Sequence, residues 1–85
     1  MAKKKKRRPQ GQVVGLLGVG IDGDDGESRI TQTDHFVLAG GSAETHERMQ
    51  ETAARFEERL DATGKPLVAL PVAQVVDLLR QARRE

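Results

Sequence analysis

Residues 36–48 have the sequence FVLAGGSAETHER, in which the pattern changes from strand to helix. The residues before the glycine pair are apolar and include the β-branched Val37, which favours a strand. After the pair, Ser42 is a suitable N-cap, and Glu44 suits the positive end of a helix dipole. The segment therefore predicts a strand that ends near Ala39 and a helix that begins at Ser42.

An apolar stripe continues this helix at steps of three and four residues, which places one helix face against a core. Gly64 is a suitable C-terminal stop with Pro66 behind it, so the helix is expected to end near Ala62. The opposite face is highly charged. The stripe itself comprises His46, Met49, Ala53, Phe56 and Leu60.

A second, shorter helix is predicted over residues 71–83, because Pro71 suits a first helical turn. An extended connector with apolar anchors at Leu67, Val68 and Leu70 precedes it. The arginines near its end suit the negative helix terminus. The apolar face of this helix comprises Val72, Val75, Val76, Leu79 and Ala82.

Upstream, residues 13–21 are rich in Val and contain three glycines, which favours a strand over a helix. The odd positions form an apolar face that we expect to enter the core. The even face is bare at Gly18 and Gly20, so another backbone or a ligand could approach it closely. Two further short strands are expected at 28–32 and 35–39, with a kink at residues 33–34.

Residues 22–26 are Asp and Gly only, which is typical of a turn, and a hairpin loop is the preferred interpretation. The glycine spacing at positions 15, 18 and 20 is not the dinucleotide fingerprint, which opens a helix. Nor do the acidic residues match a calcium loop, because the ligands and the glycine never come into register. Tight packing or a bulge explains these glycines better than nucleotide binding does.

These elements predict an α+β fold: a small β-hairpin or three-stranded meander, followed by a long and a short α-helix packed on one face. Two regions are expected, a disordered basic tail and hinge at residues 1–11 and one small domain at 12–85. A core this thin favours a homodimer or a larger partner. The predicted core is Val13, Leu17, Val19, Ile21, Ile30, Phe36, Leu38, Met49, Ala53, Phe56, Leu60, Val75, Val76 and Leu79.

The charge is divided between two regions. The chain has 85 residues, a formal charge of +1 and no cysteine, which excludes a disulfide, a thiolate zinc site and a cysteine nucleophile. Residues 9–85 hold eight Lys and Arg against 13 Asp and Glu, a formal charge of −5. The first eight residues hold six positive charges: Lys3, Lys4, Lys5, Lys6, Arg7 and Arg8.

Six adjacent cations are suited to a polyanion, and we expect this run to contact nucleic acid or a ribosome without base specificity. The alternative is a tail that only solubilises the domain. A secretory signal is not favoured, because acidic residues follow the apolar stretch where a cleavage site should lie. No stretch is apolar enough to span a membrane. The expected location is cytoplasmic, or nuclear in a eukaryotic cell.

Gly40, Gly41, Ser42 and Arg48 form a candidate anion site, because free N–H groups at a helix start attract negative charge. A glycine turn that simply feeds a capped helix is the preferred explanation of the first three. His35 and His46 could meet if the strands fold under the helix, but their spacing requires no metal site. No catalytic residue, cofactor or metal is predicted.

Three function hypotheses follow. The first is a non-enzymatic accessory protein whose tail contacts nucleic acid or a ribosome while the acidic body binds a protein partner. The second is a homo- or hetero-oligomeric interaction module that uses its apolar helix faces, with a merely solubilising tail. The third is an anion- or metal-binding domain at the Gly40–Ser42 helix start.

Overall fold

The computed structural model describes residues 11–23 and 26–84. The predicted basic tail from Lys3 to Arg8 lies outside these residues. The described chain forms three strands and two α-helices, which confirms the predicted α+β class. The elements are β1 (Leu16–Gly20), β2 (Ile30–Gln32), β3 (Phe36–Gly40), α1 (Ala43–Thr63), a 3₁₀ turn (Leu67–Ala69) and α2 (Val72–Arg84).

Both ends of α1 lie where the capping residues predict them. The Ser42 hydroxyl accepts a 3.1 Å hydrogen bond from the Thr45 N–H, which satisfies one of the free donors of the first turn. At the other end Gly64 has φ +71° and its N–H binds the Asp61 carbonyl. This left-handed conformation favours glycine and ends the helix.

The sheet has the order β1-β3-β2. β1 runs parallel to β3, with Leu16 beside Phe36, whereas β2 runs antiparallel to β3, with Ile30 beside Ala39. The prediction that residues 22–26 close a hairpin was therefore wrong, and so was the meander alternative. The hairpin joins β2 to β3 at residues 33–35, close to the predicted kink. Asp and Gly bend the chain, but they do not determine which strand it next pairs with.

The segment after β1 crosses the end of β3, because β1 and β2 lie on opposite sides of that strand. The crossing brings backbone against backbone. A Cβ placed on Gly20 would lie 2.5 Å from the Gly41 Cα, and one on Gly23 would lie 2.8 Å from the Gly41 carbonyl oxygen. Gly40 and Gly41 also have φ values of +78° and +84°. The glycines thus permit the close approach that the topology requires.

The core lies between one face of the sheet and the two helices. Phe36 and Phe56 meet edge to face at its centre, with ring centroids 5.3 Å apart. Leu16 and Met49 pack against its margin. The buried apolar residues are Phe36, Leu38, Ala53, Phe56, Leu60, Leu67, Leu70, Val75, Leu78 and Ala82.

Five predicted core residues are exposed instead, and for the three in or beside β1 the cause is that this strand presents its other face to the helices. Gly18 faces inward, where a Cβ would lie 2.9 Å from a Leu38 methyl and 3.3 Å from the Met49 sulfur. The absence of a side chain at this position therefore lets Leu38 and Met49 pack over β1. The larger residues of the strand then point outward. The residues predicted wrongly are Leu17, Val19, Ile21, Ile30 and Val76.

The buried face of α2 is also shifted from the predicted one. Val75, Leu78 and Ala82 are buried, while Val72 and Val76 are about two-fifths exposed. The 3₁₀ turn before α2 buries Leu67 in the same core. In the described part of the chain, neither helix has the long apolar stretch that crossing a membrane needs.

Candidate functional site

The side of the sheet that faces away from the helices is apolar and uncovered. We call it the outer sheet face, which comprises Leu17, Val19, Ile30, Gln32, Val37 and Ala39. The strand register places Leu17 beside Val37, and Val19 and Ile30 on either side of Ala39. Ile30 is 74% exposed, Leu17 69% and Val19 60%. These neighbouring aliphatic side chains form one continuous surface.

Two more exposed aliphatic residues flank β1. Val14 lies before the strand and is 78% exposed, while Ile21 lies after it and is 94% exposed. The six strand positions of the outer sheet face carry no charged side chain. Single exposed aliphatic residues are common, whereas this group is contiguous.

The start of α1 is joined to the crossing segment by Asp22. The Asp22 carboxylate accepts hydrogen bonds from the Ser42 N–H at 2.9 Å, the Ser42 hydroxyl at 3.2 Å and the Thr45 hydroxyl at 2.6 Å. Negative charge is favourable here because the free N–H groups point toward it. These contacts hold the pKa of Asp22 below its ordinary value of 3.8, with the Thr45 hydroxyl the largest cause and the Ser42 N–H the next.

Asp22 bears directly on the candidate anion site. Gly40, Gly41 and Ser42 lie together at the start of α1, but the chain's own carboxylate already accepts from the Ser42 N–H. Arg48 lies a turn further on, where its guanidinium binds the exposed Glu44 carboxylate at 3.1 Å. An external anion would have to replace Asp22. Anion binding at these residues stays a prediction.

His46 connects α1 to two strands. It is 6% exposed, and its Nδ1 lies 2.9 Å from the Gly40 carbonyl oxygen while its Nε2 lies 2.8 Å from the Thr31 hydroxyl. A carbonyl only accepts, so Nδ1 carries the hydrogen and Nε2 accepts from Thr31. Gln50 donates to the same Thr31 oxygen at 2.9 Å. His46, the first residue of the predicted stripe, thus joins α1 to β2 and β3 by hydrogen bonds.

His35 has a different partner, further along α1. Its Nδ1 lies 2.6 Å from a Glu57 carboxylate oxygen, and the Thr33 hydroxyl donates to the other Glu57 oxygen at 3.3 Å. The two histidines are therefore held by different groups at different levels of α1. Within residues 11–23 and 26–84, no three His, Asp, Glu or Cys side chains are grouped so as to hold a metal ion.

A groove of about 280 Å³ lies between β1 and the helices. Its floor is apolar, formed by residues such as Leu16, Leu38, Met49 and Leu79. Its polar lining residues are two threonines, Thr45 and Thr52, and two arginines, Arg48 and Arg83. The lining contains no His, carboxylate or Cys side chain. The groove is suited to packing an apolar group.

Three of these features were not found by sequence reasoning. The Asp22 carboxylate binds Ser42 at the start of α1, twenty positions later in the chain. The acidic turn that contains Asp22 has no sequence feature that indicates this partner. The His35–Glu57 contact spans 22 positions and has no local signature. The outer sheet face did have a signal, since alternation showed an apolar side of β1. That side points outward because Gly18, on the other side of the strand, lets Leu38 and Met49 pack over β1.

Comparison of the chain with protein-family models, with curated proteins and with solved structures finds no match. The function must therefore be inferred from the residues and the geometry described above.

Proposed function

We propose that the chain is a non-enzymatic accessory protein with two contact surfaces. The outer sheet face binds a protein, and the basic run from Lys3 to Arg8 contacts the phosphate backbone of nucleic acid, free or within a ribosome. The single observation that carries the proposal is the exposure of Leu17, Val19 and Ile30 together on one uncharged surface. Binding a protein would remove this aliphatic surface from water.

The geometry of the groove supports a role in binding rather than catalysis. Its polar groups are two threonine hydroxyls and two guanidiniums, and Thr45 and Arg48 already bind carboxylates of the chain itself. The two histidines make hydrogen bonds that join secondary-structure elements. Both rings therefore have a structural explanation.

The uneven distribution of charge along the chain supports the proposed contact with nucleic acid. Six cations in the first eight residues precede a region with a formal charge of −5, so the cations are segregated from the rest of the chain. A run of this kind displaces counterions from nucleic acid, which gives affinity that falls steeply with salt. The run contains no aromatic residue, so we expect no stacking on bases and little sequence preference.

The tail contact is tested with a fluorescein-labelled single-stranded RNA of about 20 nucleotides, titrated with the intact chain and with a chain lacking residues 1–8. We expect binding by the intact chain only, with a slope of log affinity against log salt of up to about −4. Equal binding by the two chains would show that the run is not the contact.

The protein contact is tested by affinity capture from the native host with the intact chain and with Leu17→Lys. The matched control is Val76→Lys, which places the same charge on an exposed valine of α2. A protein that Val76→Lys retains and Leu17→Lys loses binds at the outer sheet face or at the adjoining groove, which Leu17 also lines. Identical captures with both variants would place the contact elsewhere.

A further inference from the structure

The outer sheet face is left uncovered by every apolar element of the described chain. The apolar faces of α1 and α2 pack on the opposite side of the sheet, where Phe56, Leu60, Val75 and Leu78 are buried. Neither helix is available to cover Leu17 and its neighbours. The fold therefore has two layers, with one side of its sheet open.

The residues outside the described ranges have a composition that suits an aliphatic surface poorly. Residues 1–10, 24–25 and 85 contain no Val, Leu, Ile or Phe. They consist largely of Lys, Arg and Asp, whose charged groups are costly to remove from water against an aliphatic surface. An aliphatic surface of another molecule would match the outer sheet face better than these charged residues do.

We propose that this molecule is a second copy of the chain, and that two outer sheet faces pack against each other to form a homodimer. The inference rests on the proposed function, whose protein-binding surface it uses. Two sheets pack face to face at about 10 Å with their strands rotated by about 30°. The dimer would then have four layers: helices, sheet, sheet and helices.

A second copy fits because the surface is complementary to itself. Its six strand positions are aliphatic apart from Gln32, so two copies bring aliphatic residues together and leave no charge unpaired. A partner with a charged surface would bury that charge against Leu17, Val19 or Ile30. Pairing about a two-fold axis also uses the same residues on both chains, so the assembly closes at two copies.

The size of the surface indicates a weak dimer. Two strands of five residues and one of three cover at most roughly 14 Å by 17 Å. This footprint is smaller than the roughly 800 Å² that each partner contributes to a standard interface. We therefore expect a dissociation constant on the order of 10 to 100 µM rather than nanomolar binding.

Sedimentation of the intact chain from about 5 µM to about 1 mM tests the proposal. We expect the mass to rise with concentration from the monomer's 9.3 kDa toward twice that value. Because the outer sheet face is uncharged, salt should change this association little, in contrast to RNA binding.

Leu17→Lys should weaken the dimer at least about tenfold, because the dimer would bury the new charge. Val76→Lys should not.

Leu17→Thr and Ile30→Thr are a second pair of variants that keep strand-compatible side chains, and circular dichroism shows whether each variant is folded. A folded outer-face variant that dimerises as tightly as the intact chain would overturn the proposal. So would an intact chain that remains a monomer at about 1 mM. The second result would leave the outer sheet face open to a different protein, which the capture experiment decides separately.

Discussion

The Thr45 hydroxyl donates a 2.6 Å hydrogen bond to the Asp22 carboxylate, which joins the segment after β1 to the first turn of α1. Twenty-three positions separate the two residues. Together with the two donors of Ser42, this contact fixes where the crossing segment passes the end of β3. The resulting lower pKa of Asp22 makes the contact dependent on pH.

We predict that Asp22→Asn lowers stability at pH 7, because the helix start loses a negative partner. A folded-state pKa below 3.8 means that the ionised group stabilises the fold above this value and loses its effect as the pH falls through the folded pKa. The difference between the variant and the natural chain should therefore shrink below about pH 4. Urea unfolding at neutral and acid pH measures it. Asp61→Asn is the control, and a constant difference across the range would contradict the prediction.

We predict that Gly20→Ala destabilises the fold by about 1–3 kcal/mol, because its Cβ would meet the Gly41 backbone, which cannot rotate away. Gly15→Ala is the matched control. At Gly15 a Cβ would lie 3.5 Å from the nearest atom, the His35 carbonyl oxygen, which is an ordinary contact. Chemical unfolding of both variants gives the comparison. Equal losses of stability would show that the crossing tolerates a side chain.

We predict that Thr31→Val costs about 1–2 kcal/mol, because the buried Nε2 of His46 loses its donor while the shape of the strand residue is kept. Gln50→Ala removes only the exposed bond to Thr31 and should cost less. Unfolding free energies of the two variants test the order. A larger effect of Gln50→Ala would mean that the His46 bond contributes little.

We predict that Phe56→Ala costs about 3–5 kcal/mol, since it removes a ring that is fully buried against Phe36. That loss is comparable to the whole stability of a domain this small, so the variant should be largely unfolded at 25 °C. Phe56→Leu should stay folded. Thermal unfolding followed by circular dichroism separates these outcomes, and Val76→Ala, at an exposed site, should change little.

The sequence predicts those features that depend on residues close together in the chain, and it does not predict those that depend on contacts between distant residues. The ends of α1 follow from Ser42 and Gly64, whose effects reach only three or four residues, and they were predicted to within a residue or two. The faces of β1 depend on packing against Leu38 and Met49, which lie far along the chain. Alternation shows that β1 has two faces, but only tertiary contact determines which one is inward.

The same distinction between near and distant residues applies to the candidate functional residues. The position of His46 on the inner stripe follows from helical periodicity, and its buried setting agrees with that. The place of Asp22 at the Ser42 N–H depends on a crossing over β3 that turn composition does not encode. The outer sheet face follows only once Gly18 is known to be inward, because Leu17 and Val19 must then be exposed.

The parallel pairing of β1 with β3 also has a consequence for folding order. Each pair in this ladder joins residues twenty positions apart, whereas pairs between β2 and β3 are at most nine apart. Closing the longer loop costs more entropy. The segment that closes it also passes the start of α1, so we expect this end of α1 to be formed before β1 pairs with β3. We therefore expect the β2–β3 hairpin and α1 to form first and β1 to dock last. Changes at Gly20 and Asp22 should then mainly speed unfolding, while changes at Phe36 and Phe56 should slow folding.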